Sequence, residues 1–206
     1  MRRRLGLGLA TLLAVAAGVA SASALTSSGG NDTPLGPQVV QPDGNGASVP
    51  VTSADPDGGV AWAVRVYRSQ AGLTCPEAGR IKDGNFGQVY SDGDFHPLDV
   101  EAAGSCADLA KAPMSLAVNH YPATDELPAR AVIFGVITPK ITGIALAGAA
   151  GSHALTIKGD AFIAVTREDA LQGSSLDATL SDGSTKSYAL RPSEFPATAP
   201  KDPATR

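Results

Sequence analysis

Between Val60 and Leu190 the dominant signal is apolar side chains at alternate positions, in runs too short for an average helix and often bounded by Asp-Gly or Pro. A period of two is the period of a strand. Val60-Ala61-Trp62-Ala63-Val64-Arg65-Val66-Tyr67-Arg68 sets Trp62, Val64 and Val66 on one face, with Arg65 and Tyr67 on the other, as in a half-buried strand. Arg80 to Tyr90 reads as a hairpin turning at Asp83-Gly84-Asn85, because Gly accepts positive φ without steric penalty. Ser91-Asp92-Gly93-Asp94-Phe95 is a second such turn. Met114–Tyr121 alternates weakly and stops before Pro122. Ala131–Thr138 is a continuous apolar run, rich in β-branched residues and bounded by Pro139, which predicts a buried central strand. Ile141–Leu146, Ala154–Ile157 and Ala161–Val165 follow closely, and Leu176–Leu180 and Thr185–Leu190 flank the turn Ser181-Asp182-Gly183-Ser184. Only Ser105–Lys111 and Arg167–Gln172 have helical character, and both are short. The prediction is an all-β fold, an antiparallel β-sandwich or small barrel of about 8–10 short strands. No fixed-period repeat is present, and Trp62 precedes both cysteines, which breaks the Cys–Trp–Cys order of an immunoglobulin domain.

Composition changes sharply on either side of this pattern. Residues 25–58 are mostly Ser, Gly, Asn, Asp, Pro and Thr and bury too little to offset their ordering entropy, so they read as a flexible spacer. Residues 191–206, with Pro192, Pro196, Pro200 and Pro203, read as a Pro-rich flexible tail. The globular domain is therefore expected over residues 59–190, enough for one core.

Met1-Arg2-Arg3-Arg4, an apolar run from Leu5 to Ala20, and Ser21-Ala22-Ser23-Ala24 form the three regions of a secretory signal peptide over residues 1–24. Ala20-Ser21-Ala22 and Ala22-Ser23-Ala24 both fit the cleavage pattern. The alternative is an uncleaved N-terminal anchor, but the run of about 16 residues falls short of the ~20 that a spanning helix needs. The expected location is secreted or extracytoplasmic, with no transmembrane segment after signal removal. Loss of the three N-terminal arginines leaves 13 basic against 20 acidic groups, a formal −7. A surface of that sign repels phosphate backbones and argues against nucleic acid.

Two cysteines, Cys75 and Cys106, in a chain addressed to an oxidising compartment read as one disulfide. Closing a loop of about 30 residues stabilises by roughly 3–4 kcal/mol in the chain-entropy model. The segment between them is poor in apolar groups and reads as a loop region clipped to the sheet. Two free thiols are the alternative. With no CxxC and no nearby His pair, neither a redox nor a zinc motif is present.

Gly72-Leu73-Thr74-Cys75-Pro76-Glu77-Ala78-Gly79-Arg80, Asp83-Gly84-Asn85-Phe86-Gly87 and Gly104-Ser105-Cys106-Ala107-Asp108-Leu109 form a block that resembles one in uncharacterised exported proteins of high-GC Gram-positive bacteria. Val132–Val136 and Gly159–Val165 resemble later parts of the same pattern, so the likeness covers most of residues 60–167. The resemblance implies a shared fold and a shared disulfide. It carries no activity.

No catalytic motif stands out. His96, His120 and His153 lie in different segments without metal or dyad spacing, and read as ordinary surface or turn histidines. Gly104-Ser105-Cys106-Ala107-Asp108 fails the G-x-S-x-G elbow. Asp55, Asp57, Asp83, Asp92 and Asp94 offer oxygen ligands for calcium, but the offsets of an EF-hand are missing and turn chemistry accounts for Asp beside Gly. Gly143 to Gly151 lacks the Lys-Ser/Thr of a phosphate loop. Trp62 and Tyr67 are candidates for a sugar-binding face, but aromatic residues are only 5% of the chain and Trp62 reads as a core residue. No catalytic residue, metal ligand or cofactor is assigned, and the ligand is left open. The expected function is an exported non-catalytic β-domain, a binding or structural module with a cell-surface partner; the alternative is an exported hydrolase whose site is not visible in sequence.

Overall fold

The computed structural model describes residues 42–90, 93–99, 106–123, 128–149 and 151–190. The signal segment, residues 25–41 of the spacer and the tail lie outside the described residues. Thirteen strands run through the described part: β1 (Pro42–Ser53), β2 (Ala61–Ser69), β3 (Thr74–Lys82), β4 (Asn85–Val89), β5 (Phe95–Pro97), β6 (Ala117–Tyr121), β7 (Arg130–Val136), β8 (Ile141–Gly148), β9 (Gly151–Ala154), β10 (Ile157–Lys158), β11 (Ala161–Arg167), β12 (Ser175–Leu180) and β13 (Thr185–Ala189). They form three sheets, in the orders β1-β2-β3-β4-β5, β10-β11-β7-β6 and β13-β12-β8-β9, and all their pairings are antiparallel. The fold is all-β, as the alternation predicts.

The continuous apolar run becomes β7 because both faces of its sheet are covered. Val132, Phe134 and Val136 pack with Trp62, Val64 and Val66 of the first sheet. The intervening Ala131 and Ile133 pack with Ile144, Leu176 and Ala178 of the third. β11 alternates likewise, with Ala161 and Ile163 toward the first sheet and Phe162 and Ala164 toward the third. A strand buried on both faces favours apolar residues at every position unless a polar one finds a partner. Each large side chain so enclosed contributes about 1.5–3 kcal/mol. Gly135 is forced by packing: a Cβ there would stand 2.9 Å from the Phe162 ring and closer still to the Ser115 carbonyl.

The turns follow sequence closely. Lys82 and Asn85 pair across Asp83 and Gly84, whose φ values of 52° and 80° suit a two-residue hairpin. The β12–β13 turn is closed by Asp182, whose carboxylate accepts the Ser184 amide at 2.9 Å. Part of the turn at Gly93, Ser91 and Asp92, lies outside the described residues. Arg167–Gln172 contains a 3-10 helix, Glu168–Leu171.

Four expectations are corrected. Residues 42–58 are not spacer: β1 pairs with β2, and Val51 is 1% exposed in the core. A strand carrying one buried apolar residue and two Gly beyond the register has no compositional signature. β2 is buried on both faces, not half-buried, because Arg65 and Tyr67 are covered as well. Arg65 donates to Glu77 at 2.6 Å and to the carbonyls of Leu98 at 2.7 Å and Asp99 at 3.0 Å, with its guanidinium 4.3 Å from the Phe86 ring centroid. The segment between the cysteines is no loop either, since it supplies nearly all of β3 together with β4 and β5, and β3 is mostly buried. Finally, residues 106–111 form a β-bridge and turns in place of a helix.

That bridge sets up the disulfide. Thr74 and Ala107 exchange both backbone hydrogen bonds, at 2.9 and 2.8 Å. Cys75 and Cys106 are the next pair along, where antiparallel Cα atoms come closest. They are bonded, with Cα atoms 4.0 Å apart, nearer than the roughly 4.4–6.8 Å usual for disulfides.

Candidate functional site

The densest group of ionisable side chains lies at the end of the first two sheets, centred on Asp55 in the β1–β2 connection. Its carboxylate is fully buried. One oxygen accepts Trp62 Nε1 at 2.9 Å and Arg80 Nη1 at 2.9 Å. The other accepts Arg130 Nε at 3.1 Å and Nη2 at 2.9 Å, and the Asp57 amide at 3.0 Å. Arg130 also pairs with Asp57 at 2.7 Å and donates to the Pro128 carbonyl at 2.7 Å. Asp57 in turn pairs with Arg167. The strands supply the spacing: Tyr121, Arg130 and Arg167 are successive partners across β6, β7 and β11. Arg80 donates to the Val60 carbonyl and lies 3.5 Å over the Trp62 ring, and Trp62 meets Tyr121 edge-on at 4.6 Å.

Burial alone raises the pKa of Asp55, but the hydrogen bonds from Arg130, the Asp57 amide, Trp62 and Arg80 more than cancel it and hold the carboxyl at about 2. Burial lowers the pKa of Arg80, opposed by its contact with Asp55. Burial raises that of the Tyr121 phenol. Chemically, the arrangement anchors a chain segment: the oxygens of Asp55 accept from the Asp57 amide and from side chains of β2, β3 and β7.

A second, half-buried pair lies on the opposite face of the middle sheet. His120 Nδ1 is 2.8 and 2.7 Å from the two carboxylate oxygens of Glu168. His120 pairs with Ala131 across β6 and β7, and the Glu168 amide donates to Ala129 on the far side of β7. Sequence separation of 48 hid this contact.

The structure keeps the three histidines apart, His96 on β5 of the first sheet, His120 on β6 of the second and His153 on the exposed β9 of the third. His96 packs edge-on against Tyr90 at 4.7 Å. Among the described residues, no serine is hydrogen-bonded to His120. The candidate calcium ligands disperse too. Asp55 and Asp57 are engaged by arginines, Asp83 occupies its hairpin turn, and Asp92 lies outside the described residues. No group of three or more His, Cys, Asp or Glu among the described residues is placed to hold a metal ion. Trp62 and Tyr67 are 1% and 2% exposed, so they belong to the core. The sequence reading missed the Asp55 network entirely; the one available signal was Arg130, a lone charge opening an apolar strand.

A shallow groove of about 460 Å³ runs beside the bulged half of β1, lined by Asp43, Asn45, Ser48, Arg68, Thr74 and Asp160 with Val66 and Tyr67. Its polar, mixed-charge lining has hydrogen-bonding capacity but no array of exposed aromatic rings. Comparison of the chain with protein families, curated proteins and solved structures finds no match.

Proposed function

We propose that the chain is an exported, non-catalytic β-domain that acts as a binding or structural module at the cell surface. The observation that carries this reading is the use made of its buried charges. Asp55, Arg65, Arg80 and Arg130 are the buried charged residues among those described, and each is held by an ion pair within the fold. A catalytic carboxylate or base needs a face open to substrate. These groups are enclosed and neutralised. The signal-like N-terminus and the Cys75–Cys106 disulfide support the extracytoplasmic location.

The test is direct. The chain is collected from the medium of the producing cells, its N-terminus is read by mass spectrometry, and the purified protein is sedimented with wall preparations from the same cells. The expected result is processing after Ala22 or Ala24 and co-sedimentation with the wall. A chain that retains Met1 in a membrane fraction is anchored instead. Hydrolysis of ester, amide or glycoside substrates that disappears in His120→Ala would replace this reading with an exported hydrolase built on the His120–Glu168 pair.

A further inference from the structure

We infer that Asn45 is a site of spontaneous intramolecular deamidation, a modification that places a new carboxylate on the rim of the groove. The chemistry needs a glycine after the asparagine, a backbone able to bend and exposure to water. Asn45 is followed by Gly46, both are exposed, and both stand outside the register of β1 with β2, which jumps from Pro42↔Ser69 to Ala47↔Tyr67. Gly44 and Gly46 have φ values of 84° and 83°, and a Cβ built on either would meet nothing within 4 Å, so the segment is neither packed nor laddered in place. The Gly46 amide nitrogen, losing its proton, attacks the Asn45 side-chain carbon and ammonia leaves. Water then opens the cyclic imide at either carbonyl to give Asp or isoaspartate, with no change of oxidation state.

The other described asparagines lack these features. Asn85 pairs with Lys82 and precedes Phe86; Asn119 pairs with Val132 and precedes His120. In both, a side chain on the following residue crowds the attacking nitrogen and the ladder fixes the backbone.

The consequence is electrostatic. Asn45 now donates to both oxygens of Asp43, through its backbone amide at 2.9 Å and its side-chain Nδ2 at 2.8 Å. These bonds hold the Asp43 carboxyl below its ordinary range. Deamidation removes the Nδ2 donor and sets a second carboxylate beside Asp43, in a groove that already holds Asp160 and has Arg68 as its cation. The rim turns acidic and the bulge loses an internal tie.

The experiment incubates the purified, folded exported chain at mildly alkaline and mildly acidic pH and maps its peptides over time, with enzymatic methylation to detect isoaspartate. Asn45 should convert first, several-fold faster than Asn85 and Asn119, faster at the alkaline pH, and at a rate within a few-fold of the urea-unfolded chain. Asn45→Gln should abolish the amide-to-acid mass change in this segment, a change that isomerisation at Asp43-Gly44 does not produce, and Gly46→Ala should slow conversion. Equal rates at the three asparagines, or strong protection of Asn45 by folding, would overturn the inference.

Discussion

Replacing Asp55 by Ala should be among the most damaging single changes available to this domain. It leaves Arg80 and Arg130, 7% and 2% exposed, with their charges enclosed and their best acceptor gone. Breaking a buried pair from one side costs about 3–5 kcal/mol, because the orphaned charge keeps its desolvation penalty. For a domain of this size that is a fall in Tm on the order of 10 °C. The proton provides an independent route to the same group. The folded pKa of about 2 lies below the ordinary carboxyl value of 3.8, so as pH falls the unfolded chain takes up the proton first. The contribution is therefore complete above about pH 4 and lost between about pH 4 and pH 2, with a magnitude of about 2 kcal/mol. Urea unfolding, extrapolated linearly at several pH values, measures both effects. The decisive variant replaces Asp55, Arg80 and Arg130 together with apolar residues of similar volume. It should recover most of the stability lost in Asp55→Ala, since the cost lies in the uncompensated charge and not in a missing attraction. A loss below about 1 kcal/mol in Asp55→Ala, or a triple variant no better than the single, would refute the reasoning.

Cutting the chain at residue 59 removes β1 and Asp55, so a 59–190 fragment should fail to give a cooperative transition by circular dichroism while 42–190 unfolds cooperatively. Reduction of Cys75–Cys106, or Cys106→Ser, should cost about 3–4 kcal/mol for its separation of 31 residues, read by urea unfolding with and without reductant; two titratable thiols in the denatured, unreduced protein would show that the bond is not formed. Gly135→Ala should destabilise by about 1–3 kcal/mol, because its methyl group collides with the Ser115 carbonyl and the Phe162 ring, whereas Gly143→Ala, with nothing nearer than Thr179 at 3.7 Å, should change the melting temperature little.

What could be read from the sequence divides along a physical line. Local interactions were legible. Asp83-Gly84 and Asp182-Gly183 form their turns because a residue's own backbone freedom decides them, and Ala131–Val136 reads as a buried strand because six consecutive residues share one environment. The middle position of that strand's sheet was implicit in the same run, since only a sheet covered on both sides removes polar residues from both faces. Coverage of β2 was harder to see. Arg65 looked like a solvent-facing charge, and it becomes a core residue only because Glu77 and the carbonyls of Leu98 and Asp99 are brought to it.

The Asp55 network was illegible for a stronger reason. Asp55 meets Arg80 across 25 residues and Arg130 across 75, and no local pattern encodes which of the chain's acids finds which of its arginines. Composition pointed the wrong way, because Ala54-Asp55-Pro56-Asp57-Gly58-Gly59 has the residues of a linker. Those same residues suit the task. Gly58 and Gly59, both at φ 91°, turn the chain from β1 into β2, and Asp57 closes an Asx turn onto Asp55 while reaching Arg130 and Arg167. β1 is a polar edge strand whose core residue is Val51, and its ladder with β2 runs up to the Asp55 turn. The Asp55 cluster fixes where that ladder ends, because donors from β2, β3 and β7 converge on its carboxylate, and so a segment with the composition of a linker carries a fully buried charge.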